Sequence, residues 1–128
     1  ATFVARALRI AGVHTAVIVA PSMSGGYAFP LLEQVFIKRT EKVDIRGFIP
    51  VAPVMVRKYA PMLHSFDVPA LVTYGRLDPL RRKDEEVLSN GLPLSETLIV
   101  PDAGHPCYVD NTAAWHAGLS AFLDKHYA

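Results

Sequence analysis

The chain of 128 residues is long enough to bury one hydrophobic core, and its composition, 51% apolar and 20% charged, is that of an ordinary folded domain. A formal net charge of +1 argues against a broad basic surface for nucleic acid. One cysteine excludes an internal disulfide, and no apolar run reaches the roughly 18 residues of a membrane span. We therefore expect a soluble intracellular protein without nucleic-acid or membrane partners.

Helical and strand patterns alternate along the chain. Residues 1–10 have the amphipathic spacing of a helix that ends near Gly12, and the pattern starts at once, without Met or lead-in. Short apolar runs rich in β-branched residues predict buried parallel strands at 15–20, 46–52, 70–75 and 96–100. The remaining segments predict helices at 26–39, 57–65, 80–89 and 112–126, the last capped by Asp110 or Asn111.

This alternation predicts the fold class. Strands separated by helices indicate an α/β domain, in which a parallel sheet of about four strands is flanked by helices on both faces and joined by right-handed crossovers. No repeat, linker or low-complexity tract interrupts it, so we expect a single domain over residues 1–128.

A turn of small residues joins the first strand to the next helix. Residues 21–26 read PSMSGG, and such a turn is typical of a nucleophile elbow, where the residues two before and two after the serine must be small. Ser24 meets this demand, with Ser22 and Gly26 on either side. Ser22 is the rival nucleophile, but Pro21 directly before it argues against the tight elbow geometry there. We therefore predict Ser24 as the nucleophile, with the backbone N–H of Gly25 as an oxyanion donor.

Two further polar residues follow the ends of later strands. Asp78 comes shortly after the strand at 70–75, and His105 lies in the loop after the strand at 96–100. Each has a simpler explanation, since Asp78 before Pro79 suits a helix N-terminus and a loop histidine is usually a surface group. The order Ser, Asp, His, each at the carboxyl end of a buried strand, is however the order of the α/β-hydrolase triad. We predict Asp78 as the acid and His105 as the base.

The other reactive side chains fit this chemistry less well. Asp102 lies only three residues before His105, in a stretch better explained as a turn, and Cys107 is better explained as a small buried residue than as a thiol nucleophile. The remaining histidines lack metal-ligand spacing, so no metal site is predicted. Trp115 and Phe122 have helical spacing and are predicted to be core contacts of the last helix.

Four stretches resemble a known family. They read PSMSGGY at 21–27, GFIPVAP at 47–53, YG followed by DP within 74–79, and AGHPCY at 103–108. Together they resemble the fourteenth group of α/β-hydrolase-domain-containing proteins, which includes an interacting factor of the general transcription factor TFIID. The resemblance covers nearly the whole chain and assigns Ser24, Asp78 and His105 to the triad.

The resemblance also implies an activity and a setting. It implies a serine hydrolase of short acyl esters or acetylated protein lysine, with coenzyme A as acyl acceptor, no required cofactor, a transcription-factor partner, and a cytoplasmic location that extends to the nucleus. Members of the family carry about four strands before the first one here, including a loop that donates an oxyanion N–H, so we expect the chain to lack those N-terminal strands. Residues 33–44 are expected to form an exposed loop longer than in the family.

The mechanism expected from these residues passes through an acyl-enzyme, resolved by water or a thiol. The connection of about 15 residues between Pro53 and Pro69 is too short for an inserted lid, which favours short acyl groups. Two alternatives remain open at this point. One is a non-catalytic interaction module derived from a hydrolase, and the other is a general carboxylesterase that gains nothing from coenzyme A.

Overall fold

The computed structural model describes residues 2–128 and shows four parallel strands in one sheet, in the order β1-β2-β3-β4. The strands are β1 (Thr15–Pro21), β2 (Asp44–Val51), β3 (Ala70–Gly75) and β4 (Ser95–Val100). All four predicted strands are confirmed to within two residues at each end. The α/β class with a four-stranded parallel sheet is therefore confirmed.

Helices fill every connection between the strands. They are α1 (Phe3–Ile10), α2 (Gly25–Phe36), α3 (Val56–Tyr59), α4 (Arg81–Gly91), α5 (Cys107–Asp110) and α6 (Thr112–Tyr127), with 3₁₀ turns at Ser22–Ser24 and Ala60–Ser65. Asn111 caps α6 by accepting a hydrogen bond from the Ala114 N–H, as predicted. Ala1, which the predicted first helix included, lies outside the described residues. Over residues 2–128, no helix is both long enough and apolar enough to cross a bilayer.

Two predicted helices differ from the observed ones for local reasons. The helix predicted at 26–39 ends at Phe36, because Arg39 adopts a left-handed φ of 56° that no helix continues through. The helix predicted at 57–65 divides into α3 and a 3₁₀ turn, where Pro61 lacks the N–H that an α-helix would use.

The segment predicted as an exposed loop at 33–44 is correspondingly shorter, because it begins inside α2 and ends at β2. Within it, the carboxylate of Glu41 is nearly buried and pairs with Arg9 at 2.7 Å, which ties the segment to the end of α1.

The sheet is covered on both faces. Helices α1, α2 and α4 pack on one face together with Phe48, Val72 and Tyr74 of the strands, whereas α6 packs on the other face over Ile49 and Leu71. Trp115 and Phe122 both join the second cluster, as predicted for the last helix.

Phe29 anchors the helix that follows the small-residue turn. Its side chain is fully buried, stacks on Tyr59 at a centroid distance of 5.0 Å and meets the edge of Phe48 at 5.6 Å. Burying a side chain of this size stabilises a fold by about 1.5–3 kcal/mol. The N-terminus of α2, and with it the turn at Ser22–Ser24, is therefore held in place by core packing.

Two adjacent glycines at this N-terminus provide a matched test of that close packing. A Cβ at Gly25 would lie 2.6 Å from the Val54 carbonyl oxygen and 2.9 Å from the Pro53 Cβ, whereas one at Gly26 would meet nothing within 4 Å. We predict that Gly25→Ala lowers the free energy of unfolding by about 1–3 kcal/mol, while Gly26→Ala leaves it unchanged or raises it by up to about 1 kcal/mol. Urea unfolding of both variants checks this, and equal effects of the two substitutions would contradict it.

Candidate active site

Three loops meet at the carboxyl end of the sheet, following β1, β3 and β4. The Oγ of Ser22 lies 2.8 Å from the Nε2 of His105, and the Nδ1 of the same ring lies 2.8 Å from the Oδ2 of Asp78. Because strands of a parallel sheet all point the same way, residues that follow their ends gather at one edge. The structure thus joins a hydroxyl, an imidazole and a carboxylate in one line of hydrogen bonds.

The hydroxyl in this line belongs to Ser22 and not to Ser24, so the predicted contact between Ser24 and His105 is wrong. Ser24 ends the 3₁₀ turn and its side chain makes no capping hydrogen bond to α2. Ser22 has a φ of 49°, a left-handed conformation that costs a non-glycine residue of order 1–3 kcal/mol.

Pro21 does not oppose this elbow, contrary to the sequence argument. Its φ of −80° and ψ of 135° are extended, which suits both a proline and the last residue of a strand. The sharp turn falls at Ser22, and the ring of Pro21 does not restrict the φ angle of that residue. The residues two before and two after Ser22 are Ala20 and Ser24, which are both small. The sequence shows that spacing around Ser22 as well as around Ser24, and the structure separates them because β1 continues through Pro21.

Gly25 does not offer a free N–H to a substrate, so its predicted role is also corrected. Its N–H donates to the carbonyl oxygens of Ser22 and Met23 within the 3₁₀ turn. The lack of a side chain matters instead, because it lets α2 approach Val54. The Val54 N–H in turn donates to the Ser22 carbonyl oxygen at 2.9 Å, which fixes the strained residue from the side of β2.

Asp78 is held by both of its carboxylate oxygens. Its side chain is fully buried; Oδ1 accepts a hydrogen bond from the Leu80 N–H at 2.9 Å while Oδ2 faces His105. Asp78 therefore has both predicted roles: Oδ1 accepts a hydrogen bond at the start of the helical segment, and Oδ2 contacts His105. A buried carboxylate hydrogen-bonded to Nδ1 fixes the tautomer that leaves Nε2 free to accept a proton.

The loop that carries His105 lies against the loop that carries Asp78. The Leu77 N–H donates to the Ala103 carbonyl oxygen at 2.9 Å, and the Arg76 N–H donates to the Val100 carbonyl oxygen at 3.0 Å. Gly75 permits this approach, since a Cβ there would collide with the carbonyl oxygens of Ala103 and Gly104. The imidazole remains 38% exposed, so a substrate can reach it from solvent.

Curated relatives share roughly a third or more of the aligned sequence. The chain is 40% identical over 108 residues to the human protein named "Putative protein-lysine deacylase ABHD14B", covering 84% of this chain and 48% of that protein. It is 37% identical over 113 residues to mouse ABHD14A, covering 88% of this chain and 43% of that protein. The chain thus spans about half the length of the curated relatives it matches. No family model matches it.

Solved structures agree on the fold. A "predicted CIB-like hydrolase" from Thermoplasma acidophilum superposes with a TM-score of 0.83 at 24% identity over 96% of this chain and 57% of its own. MenH from S. aureus superposes with a TM-score of 0.78 at 12% identity over 98% and 74%. The chain has the fold of the α/β-hydrolases and is similar in sequence to the ABHD14 proteins.

The other candidate side chains lie outside the hydrogen-bonded line of Ser22, His105 and Asp78. Asp102 adopts a left-handed φ of 53° in the turn before His105, and the carboxylate that reaches His105 is that of Asp78. The remaining histidines include His126, which pairs with Glu96 at 2.7 Å and lowers the pKa of that carboxyl through the hydrogen bond. Within residues 2–128, no three His, Cys, Asp or Glu side chains are grouped for a metal ion.

Cys107 is a packing residue beside the site. It is fully buried, and its backbone N–H donates to the His105 carbonyl oxygen at 3.0 Å. Burial raises the pKa of its thiol to about 11, which leaves little of the reactive thiolate at neutral pH. These features oppose a role for this thiol as a nucleophile.

The thiol of the folded chain is therefore expected to be inert. We predict that Cys107 reacts with a disulfide reagent such as dithionitrobenzoate at least about a hundred-fold more slowly in the native chain than in urea at pH 8, because both access and thiolate are suppressed. Release of the coloured thiolate is the measurement. Rapid stoichiometric reaction of the folded chain would contradict the buried placement.

Proposed function

We propose that the chain is a serine hydrolase in which Ser22 is the nucleophile, His105 the general base and Asp78 the residue that orients the imidazole. The observation that carries this proposal is the pair of 2.8 Å contacts of the His105 ring, one to the Ser22 Oγ and one to the Asp78 Oδ2. The φ of 49° at Ser22 supports it independently, because an elbow presents its serine at the edge of the sheet.

The reaction proceeds in two halves. Ser22 Oγ attacks the acyl carbonyl carbon while its proton passes to Nε2 of His105, and the leaving alcohol or amine departs with that proton as the acyl-enzyme ester forms. Water or a thiol then attacks the ester carbonyl and gives its proton to Nε2. The bond to Oγ breaks, the acid or thioester leaves, and the proton returns to Ser22. Asp78 stabilises the imidazolium in both halves without accepting its proton.

The oxyanion donor of this proposal shifts with the serine. In an elbow the N–H of the residue after the nucleophile points at the developing oxyanion, and after Ser22 that residue is Met23. Each such donor contributes about 3–4 kcal/mol of transition-state stabilisation. Met23 is 72% exposed to solvent.

Short acyl groups suit the site best. The β2–β3 connection folds into α3 and a 3₁₀ turn, and His105 stays open to solvent. A mainly apolar groove of about 200 Å³ near the Ser22–Ser24 turn is lined by Val19, Pro21, Val51, Tyr108, Trp115 and His116. The name of the human relative suggests acylated lysine as a substrate, so short activated esters and acyl-lysine peptides are the proposed substrates, with coenzyme A as a proposed acceptor.

Substitution of each serine of the turn in separate variants distinguishes Ser22 from Ser24 as the nucleophile. We predict that Ser22→Ala lowers p-nitrophenyl acetate turnover more than about a thousand-fold, because the nucleophile is lost, whereas Ser24→Ala stays within about threefold of the unaltered chain. Initial rates at 405 nm and circular dichroism spectra of both variants are the measurements. The reverse order would return the role to Ser24, and folded chains that are all inert would support the interaction-module alternative.

Transfer to coenzyme A is tested by its product. We predict that adding coenzyme A to the esterase reaction yields acetyl-coenzyme A and increases turnover, because a thiol resolves the ester intermediate faster than water. Mass spectrometry detects the thioester, with desulfo-coenzyme A and Ser22→Ala as controls. Unchanged turnover with no thioester above the Ser22→Ala blank would favour a general carboxylesterase.

A further inference from the structure

We propose that Asp110 is a positioning residue for His105, which it serves by clamping the backbone on both sides of that histidine. This inference rests on the proposed function, since it concerns the base of the proposed triad. Asp110 itself touches neither Ser22 nor the imidazole in the hydrogen-bond pattern of residues 2–128, so any effect it has must pass through the loop.

The clamp consists of one side-chain and one backbone hydrogen bond. The Gly104 N–H donates to Asp110 Oδ2 at 2.9 Å, and the Asp110 N–H donates to the Pro106 carbonyl oxygen at 3.0 Å. Gly104 and Pro106 are the two sequence neighbours of His105. Asp110 therefore holds the chain immediately before and immediately after the histidine.

The loop needs such a clamp because it has no regular structure of its own. It leaves β4 at Val100, turns through the left-handed Asp102 and enters α5 only at Cys107. Its other anchors include the hydrogen bond from the Cys107 N–H to the His105 carbonyl oxygen at 3.0 Å, on the C-terminal side of the histidine. Asn111 Nδ2 donates to the Pro101 carbonyl oxygen at 2.8 Å, and the Leu77 N–H reaches Ala103.

The proposed triad is sensitive to this clamp because the imidazole must satisfy two partners at once. Both ring nitrogens make 2.8 Å contacts, to loops that follow different strands. A shift of the His105 backbone moves both nitrogens together. Misplacement of a catalytic group by about 1 Å costs on the order of a hundred-fold in rate.

Three variants test this role. Asp110→Ala removes the acceptor for the Gly104 N–H, Asp110→Asn keeps an acceptor oxygen of the same reach without the charge, and Asp124→Ala removes an exposed acid of α6 as a control. We expect Asp110→Ala to lower kcat for p-nitrophenyl acetate roughly ten- to a hundred-fold with KM within about twofold. Asp110→Asn should recover to within about threefold, and Asp124→Ala should match the unaltered chain.

A second measurement does not depend on turnover. The ¹⁵N chemical shifts of the His105 ring, recorded at alkaline pH, report whether the proton is held at Nδ1. We expect the Nδ1–H form to dominate in the unaltered chain and in Asp110→Asn, and to give way to mixed tautomers in Asp110→Ala. If the unaltered chain turns over no ester, the proposed function fails while the ring shifts still decide the role of Asp110.

Two results would overturn the role of Asp110. One is an Asp110→Ala variant whose ring shifts equal those of the unaltered chain. The other is an Asp110→Asn variant as impaired as Asp110→Ala, which would indicate that charge and not the loop clamp is at work. Melting temperatures of all variants identify any general loss of folding. The control Asp124→Ala is expected to melt at the same temperature as the unaltered chain.

Discussion

The site depends on one constraint: the imidazole of His105 must contact a hydroxyl that follows β1 and a carboxylate that follows β3 at the same time. No single loop can satisfy it. Each contact is 2.8 Å long, and each partner sits on a different strand of the parallel sheet. The sheet order β1-β2-β3-β4 places two strands between the first and the last of these loops. The fixed spacing of the strands therefore sets the distances within the site.

Strain at Ser22 is tolerated because the residues around it are tightly supported. A hydrogen bond from the Val54 N–H to the Ser22 carbonyl oxygen and the close packing of Gly25 against Val54 hold Ser22 in its left-handed conformation, with a φ of 49°. The fully buried Phe29 holds α2 in that seat. The core thus offsets a local cost of order 1–3 kcal/mol at the residue that is proposed to react.

Much of the fold was accessible from the sequence, because the apolar runs and the capping residues act locally. The strand at 70–75 was predicted at its exact bounds, and Asn111 was anticipated as a cap of α6. Asp78 and His105 were singled out because the carboxyl ends of parallel strands converge, and the structure does bring them together.

The choice between Ser22 and Ser24 was not accessible in the same way. It depends on which residue of the turn takes a positive φ, and the small residues on either side satisfy both placements. The strand continues through Pro21, so the turn falls directly at Ser22. Hydrogen bonds within the His105 loop, such as that between Gly104 and Asp110, were likewise invisible, since they follow from the path of the loop and not from its composition.

The most direct test of the central claim is the identity of the serine that a fluorophosphonate probe modifies. The folded chain would be labelled, digested and sequenced by tandem mass spectrometry, which resolves an adduct on Ser22 from one on Ser24. We expect a single adduct on Ser22 that is lost when the chain is unfolded before labelling. An adduct on Ser24, or no adduct on a chain shown to be folded, would contradict it.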